Sequence, residues 1–408
     1  MLKMKGKYAF LSLLIPDELK EEYKSLSRNN MQDAANALQW HIYNGICENL
    51  QTEVRIFNTL PIGSFPQYYK KPFIKRSKFK TFYCDNNINI GFCNIKFLRK
   101  LFLASKVFKE LNDWCKDKEK KILFVYTLNS GFLEAITRLK LLYSNLKVCA
   151  IVADLPNMSS LSNKKSLLKR IFENRLASKS YKNLKCVDYF VLLTQPMATY
   201  MKIEKPYCVM EGIATENIGA LEKKSQPITE IEKNIVYTGT LHERFGILNL
   251  LQAFKEIPYP NYRLIICGIG DSEKKIIEAS KQDSRIIFMG QLSRDEILKL
   301  QKVATVLVNP RQNNEEFTKY SFPSKNLEYL SSGIPLVAYK LDGILDEYDD
   351  YINYVEDNSI VSLRNKLIEV CEWTYEKREL FGYKAQKFVL EQKNQLIQTK
   401  KIIELIEL

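Results

Sequence analysis

The sequence predicts an α/β chain made of two doubly wound parallel-sheet domains in series, and three observations lead there. The chain has 408 residues, too many for one ordinary hydrophobic core and enough for two. Apolar runs of strand length alternate with stretches of helical periodicity, the pattern of a parallel sheet covered on both faces. That alternation breaks off over 206–233, which carries Pro206, Gly212 and Pro227 with little periodicity, and then restarts.

In the first half, apolar runs at 8–15, 53–58, 121–126, 147–153 and 187–193 predict buried strands. Helical periodicity fills 31–50, 96–118, 131–144 and 161–183. The second half predicts strands at 234–237, 262–267, 285–288, 304–308 and 335–339. Helices are expected between them at 246–256, 271–280, 293–302 and 323–331. The last segment, 376–408, is a long charged helical pattern expected to pack across the domains. The resulting division is 1–205 as the N-terminal domain, 206–233 as the connection, 234–385 as the C-terminal domain and 386–408 as a C-terminal helix. Two doubly wound sheets in series predict a cleft between them, with ligands at the carboxyl ends of the strands that face it.

Composition narrows the class. With 46% apolar and 26% charged residues the chain reads as globular, and 15 glycines and 13 prolines are too few for a fibrous or disordered one. Nine cysteines stand singly, with no CxxC pair, which argues against a disulfide framework or a zinc site and for a reducing, cytoplasmic compartment. The apolar run at 8–15 has no small-x-small cleavage site after it and is too short for a spanning helix, so a first buried strand is expected there. No run of about 18 uncharged apolar residues occurs, and no transmembrane helix is expected.

The formal net charge is +14, and it is uneven. Lys70, Lys71, Lys75, Arg76, Lys78 and Lys80 crowd one stretch. A second runs from Lys164 to Lys185, with Leu167, Leu168, Ile171, Phe172 and Leu176 interleaved at helical spacing. Each stretch alone reads equally as a solvated helix face or as a surface for an anionic partner. Two in one half favour peripheral contact with an anionic membrane, at the inner face of the cell membrane. No aromatic–basic RNA motif or helix-turn-helix pattern accompanies them, so nucleic acid is not an expected partner.

Three constellations carry chemistry. The first is a strand followed by Gly239-Thr240-Leu241-His242-Glu243-Arg244-Phe245-Gly246 and a helix. A glycine there lets the backbone approach a ligand, the helix amino end offers amides to a phosphate, and Arg244 adds a bidentate cation. A plain strand-to-helix turn has the same look. The second, Cys267-Gly268-Ile269-Gly270-Asp271, resembles part of a GxGxxG fingerprint without its third glycine, and reads either as close approach to a nucleotide or as a bare turn.

The third is the most specific: Phe322-Pro323-Ser324-Lys325-Asn326-Leu327-Glu328, then Ser332-Gly333-Ile334-Pro335. Pro323 is expected in the first helical turn, with Ser324 and Lys325 at the amino end facing a diphosphate. A lysine there opposes the helix dipole, so an anion is needed to explain it. Glu328 lies one turn on, on the same face, where it can hold a ribose diol.

In that order, with Tyr237-Thr238-Gly239-Thr240-Leu241, Gly246 to Phe254, Leu264 to Gly270 and Phe288-Met289-Gly290, these segments resemble the nucleotide-sugar-binding domain of the retaining GT-B glycosyltransferases of family four. The resemblance runs over roughly 234–345. It implies the GT-B fold, a UDP- or GDP-sugar donor, transfer with retention, no metal and no further cofactor. It assigns donor contacts to Gly239, Thr240, Arg244, Gly268, Gly270, Gly290, Pro323, Ser324, Lys325 and Glu328. Tyr320 stands where the family has an acidic residue eight positions before the glutamate, and Glu315 and Glu316 are near enough to serve. Thr240 and Phe245 replace the family's Arg…Lys pair, which leaves the diphosphate to Lys325 and Arg244.

These departures, with Val152 to Pro156 and Val209 to Ile213 in the first half, resemble a subgroup of bacterial capsule and exopolysaccharide assembly. That subgroup implies an acceptor-binding N-terminal domain and a lipid-linked or saccharide acceptor. Asp154, at the end of a predicted strand, either orients the acceptor hydroxyl and accepts its proton or is a turn aspartate before Pro156. The catalytic residues expected are therefore Asp154, Glu316 and Lys325. A non-catalytic nucleotide-sugar-binding subunit and a GT-B nucleotide-sugar epimerase remain the alternative readings.

Overall fold

The computed structural model describes residues 6–28, 33–155, 184–215 and 232–408. The chain divides into two compact units, Met1–Ile213 with Gln395–Leu408, and Ala214–Asn394. The basic helical stretch expected from Lys164 falls outside the described residues except at its end, where Lys185 lies in a short 3-10 turn, Leu184–Cys186.

The strands of the first unit are β1 (Lys7–Ser12), β2 (Val54–Asn58), β3 (Phe73–Ile74), β4 (Ser77–Phe79), β5 (Asn87–Asn89), β6 (Phe92–Cys93), β7 (Lys121–Tyr126), β8 (Leu146–Val152), β9 (Tyr189–Leu192) and β10 (Tyr207–Val209). Eight of them form one sheet in the order β10-β9-β8-β7-β1-β2-β5-β4, parallel except where β4 runs against β5. β3 and β6 make a separate antiparallel pair. The central strands are apolar almost throughout, as strands covered on both faces must be: Ala9, Phe10 and Leu11 of β1 and Leu123, Phe124 and Val125 of β7 are wholly buried.

β1 ends at Ser12, three residues before the end of its apolar run. Side-chain amides intercept the next three backbone N–H groups: Leu13 donates to Gln39 Oε1 (2.8 Å), Leu14 to Asn58 Oδ1 (2.7 Å) and Ile15 to Asn36 Oδ1 (2.8 Å). A strand needs those groups for its neighbour, so the ladder stops.

The second unit carries β11 (Lys233–Thr238), β12 (Tyr262–Cys267), β13 (Ile286–Phe288), β14 (Val306–Asn309), β15 (Leu336–Ala338) and β16 (Asn353–Tyr354). They form an all-parallel sheet in the order β13-β12-β11-β14-β15-β16. Counted from β11 this is 3-2-1-4-5-6, the Rossmann order, and it reverses direction between β11 and β14. Helices Ile247–Lys255, Glu273–Gln282, Arg294–Lys302 and Ser324–Ser331 make the crossovers. The helix Ile360–Cys371 and strand β16, both past the resemblance, were not anticipated.

Two further expectations change. The stretch 206–233 contains β10, which extends the first sheet beside β9; three residues after Pro206 are too few to show a period. The long C-terminal pattern is two helices, Tyr375–Gln392 and Gln395–Glu407. Between them Asn394 Nδ2 donates to Leu390 O (2.8 Å) and Glu391 O (3.2 Å), capping the first helix, and the buried Lys393 ammonium meets Glu347 Oε1 at 2.5 Å. The second helix belongs to the first unit, where Asn49 Nδ2 donates to Leu396 O (2.9 Å). No described helix is long and apolar enough to cross a membrane, and all nine cysteines are unpaired.

Candidate functional site

In a sheet of this order the ligand crevice opens beyond the carboxyl ends of the strands where the order reverses, here β11 and β14. The helix Ser324–Ser331 follows β14, and Tyr329 fastens it there. The buried Tyr329 hydroxyl accepts from Thr238 N (2.8 Å) and donates to Thr238 O (2.9 Å), so it caps the end of β11 where β14 no longer reaches. Lys325 lies one turn earlier, and a Cβ on Gly239 would sit 3.6 Å from Lys325 Cε. The lysine thus rests against the bend that leaves β11.

Lys325 Nζ pairs with Glu328 Oε1 at 3.0 Å, the same-face relation expected from their spacing. The same carboxylate oxygen accepts from Gln301 Nε2 at 2.7 Å, and that amide also reaches Thr238 Oγ1 at 3.2 Å. Gln301 is fully buried at the end of the helix Arg294–Lys302. It fixes Glu328, and only its place beneath the site in three dimensions reveals it. Pro323 is the residue before the helix rather than in its first turn, with ψ of 91°. Ser324 and Lys325 are therefore the first two helical residues, whose amides have no intrahelical partner. Ser324 is exposed.

The glycines divide into two kinds. Gly268 has φ of 143°, and a Cβ there would lie 1.8 Å from Gly239 O. A Cβ on Gly270 would lie 2.2 Å from Leu241 O. The protein's own neighbouring loop explains both, without a ligand. The Gly239 amide is likewise spent, donating to Cys267 O at 2.9 Å, so Gly239 offers room beside Lys325 and no N–H to a phosphate. Gly290, with φ of 64°, has open space where its Cβ would be, and its carbonyl accepts from Gly268 N at 2.8 Å.

Arg244 has a partner of its own within the protein. Arg244 is engaged by Glu315, with Nε 2.7 Å from Oε2 and 3.0 Å from Oε1, and its guanidinium lies 4.4 Å from the centre of the Phe317 ring. Arg311, absent from the sequence reading, faces the same ring at 4.6 Å and donates to Ser321 Oγ. Burial and the neighbouring Arg244 push the Arg311 guanidinium down to about 10, against the opposing pull of Glu315. This cluster ties the segment 315–321 to the bend at Gly246, whose φ of 78° and missing Cβ let Pro310 O approach. Glu316 is exposed in the 3-10 turn Glu316–Tyr320.

Asp154 belongs to the first unit, two residues past β8. It is exposed, yet desolvation by the protein around it raises its carboxyl above the ordinary range. Of the expected residues, then, Gly239, Lys325 and Glu328 are brought together, Ser324 stands beside them, and Thr240 is exposed in the bend after Gly239. Among the described residues no three His, Cys, Asp or Glu side chains gather as metal ligands would.

Residues 220–388 match the family model described as glycosyl transferases group 1. A search of curated proteins finds no match. Among solved structures the chain is similar to WaaG, a glycosyltransferase involved in lipopolysaccharide biosynthesis, at 13% identity and a TM-score of 0.59 over 98% of this chain and 99% of that one. It is similar to the α,α-trehalose 6-phosphate synthase of Burkholderia multivorans at 11% identity and a TM-score of 0.65, over 99% and 97%. It is also similar to Anabaena HepE in complex with UDP, at 14% identity and a TM-score of 0.58, over 98% and 99%. The chain has the GT-B fold of two Rossmann-like units, and its second unit carries a glycosyl transferases group 1 domain.

Proposed function

We propose that the protein is a metal-independent glycosyltransferase that moves a sugar with retention from a UDP- or GDP-sugar to an acceptor hydroxyl. The acceptor we assign is a lipid-linked saccharide of cell-surface polysaccharide assembly, such as capsule or exopolysaccharide. The observation that carries the reading is the Lys325–Glu328 pair held at the carboxyl ends of β11 and β14 beside Gly239.

The donor diphosphate is taken by the Lys325 ammonium and the first amides of its helix, with Ser324 adding a hydroxyl. Glu328, kept in place by Gln301, accepts from the ribose hydroxyls. The positive field stabilises charge that grows on the diphosphate as the anomeric carbon–oxygen bond breaks, the role a metal plays elsewhere. The acceptor oxygen bonds to the anomeric carbon on the face the diphosphate leaves. Asp154 orients that hydroxyl and takes its proton, a task that a raised carboxyl pKa suits. Basic surface of the first unit, including Lys70 to Lys80, draws the enzyme to the inner face of an anionic membrane.

The test is incubation of the purified chain with UDP- and GDP-sugars in EDTA. Release of nucleoside diphosphate, with the product keeping the donor's anomeric configuration, supports the proposal. Tight nucleotide binding without turnover for any donor and acceptor points instead to a non-catalytic donor-binding subunit. Asp154→Asn is expected to keep donor binding and lose transfer.

A further inference from the structure

Helix Lys96–Cys115 packs into the first unit through Leu103, Ala104, Val107, Leu111 and Trp114, which lie along one face. Its first two turns are apolar on the other side as well. Phe97 is 71% exposed, Leu101 68%, Phe102 51% and Leu98 38%. Phe97 and Leu101, like Leu98 and Phe102, are four residues apart and lie one above the other, so the four make one continuous patch. Further along, the outward positions revert to Lys106 and Lys109. The strand pair just before the helix carries a further exposed aromatic, Phe73, 64% exposed and paired in register with Cys93. Monomeric proteins seldom leave this much contiguous large apolar surface in water without a use for it.

Charge says what the patch meets. From Val54 to Lys109 the sequence holds twelve Lys and Arg residues and a single acid, Asp85. Lys96 and Lys100 lie on the same two turns as the patch, and Lys71 and Lys75 flank Phe73 in sequence. A second copy of this chain would bring the same positive field against it, and like charges repel. An anionic bilayer supplies both complements at once, headgroups for the lysines and an acyl boundary for the Phe and Leu side chains.

We propose that the first two turns of the helix Lys96–Cys115 are a membrane-insertion element, with Phe97, Leu98, Leu101 and Phe102 entering the interface of an anionic lipid bilayer. The inference rests on the membrane contact proposed above and gives it an apolar element where that reading has charge alone.

The experiment is flotation of the full chain with phosphatidylcholine vesicles, plain or containing about a third phosphatidylglycerol. Wild type is expected to float with the anionic vesicles. The triple variant Phe97→Ser, Leu101→Ser, Phe102→Ser is expected to lose about tenfold or more in vesicle affinity while binding nucleotide as before. These side chains are more than half exposed, so folding should survive, and unchanged nucleotide binding checks it. In a separate arm, Phe102→Trp should give a blue-shifted indole emission with anionic vesicles. Wild-type-like, salt-labile flotation of the triple variant would overturn the insertion element and leave the charge contact standing. Absence of flotation by wild type would overturn both. A lipid-independent dimer that the triple variant abolishes would assign the patch to a second copy and overturn the proposal.

Discussion

The backbone that leaves the central strand is buried and sealed by side-chain amides in the first unit; in the second it is hydrogen-bonded within the protein as well, but open to solvent beside a lysine. After β1, Asn58 accepts from Ser12 Oγ (2.9 Å) and Leu14 N and donates to Leu14 O (2.9 Å), while Gln39 both accepts from and donates to Leu13. Ser12, Leu14 and Asn58 are wholly buried. After β11, Gly239 is half-buried and Thr240 exposed, and Lys325 lies against the glycine. Both sheets reverse order at their first strand, so topology alone offers a crevice in each. The difference teaches that topology alone does not make a switch point a candidate anion site: the second has a lysine beside an exposed bend, and the first has its bend buried under Asn58 and Gln39.

The largest effect that sharpens this contrast is expected from Lys325→Ala. It removes the cation proposed to face the departing diphosphate, and turnover should fall by about a hundred- to a thousandfold, read as the kcat for nucleoside diphosphate release. A variant with near-normal turnover would break the assignment of the open switch point. Next comes Glu328→Ala. The proposed charged hydrogen bond to the ribose is lost, and nucleotide affinity should drop about ten- to a hundredfold by calorimetry. Nucleotides lacking ribose hydroxyls should then bind variant and wild type alike.

Much of this contrast is legible in the sequence, and the illegible part has physical causes. The Phe322-Pro323-Ser324-Lys325 segment and Glu328 carry their meaning in spacing, because a helix turns i, i+3 and i+4 to one side whatever surrounds it. Gln301 and Tyr329 do not. They act on Glu328 and Thr238 across 27 and 91 positions of chain, and no local period marks such a pair. Gly268 and Gly270 read equally as ligand glycines or as turn glycines because a close backbone neighbour and a close ligand require the same missing Cβ. Arg244 was expected at the diphosphate for its charge, and nothing in the sequence shows that Glu315, 71 positions away, pairs with its guanidinium. The truncated β1 was hidden for a related reason, since Gln39, Asn36 and Asn58 compete for its amides from distant elements.

Two smaller changes separate the sealed point from the open one. Asn58→Ala leaves Leu14 N–H and C=O buried without that partner, and should cost about 1–3 kcal/mol in denaturant unfolding. Nucleotide affinity should stay put, because the proposed donor site lies in the other unit. Tyr329→Phe deletes only the hydroxyl that caps Thr238, at about 1–2 kcal/mol, yet here nucleotide affinity should weaken severalfold, because Lys325 rides on the same helix. Equal behaviour of the two variants in the binding assay would erase the distinction between the units.

The smallest expected change in stability concerns Asp154, the one carboxylate through which the first unit is assigned a part in the chemistry. Its folded carboxyl is raised above the ordinary range by desolvation, so the charged form is the one folding disfavours. Above the folded pKa both states are ionised, and the folded state bears the whole penalty. Below the ordinary carboxylate range both are protonated and the penalty vanishes, so this group lowers stability progressively as pH rises between those limits. Asp154→Asn removes the charge altogether. It should raise the melting temperature slightly at neutral pH, and the gain over wild type should shrink as the pH is taken down through the carboxylate range. A gain that grows on acidification would mean that the folded state favours the ionised carboxylate, as a turn-capping aspartate would, and would contradict the raised carboxyl on which its role as a base is argued.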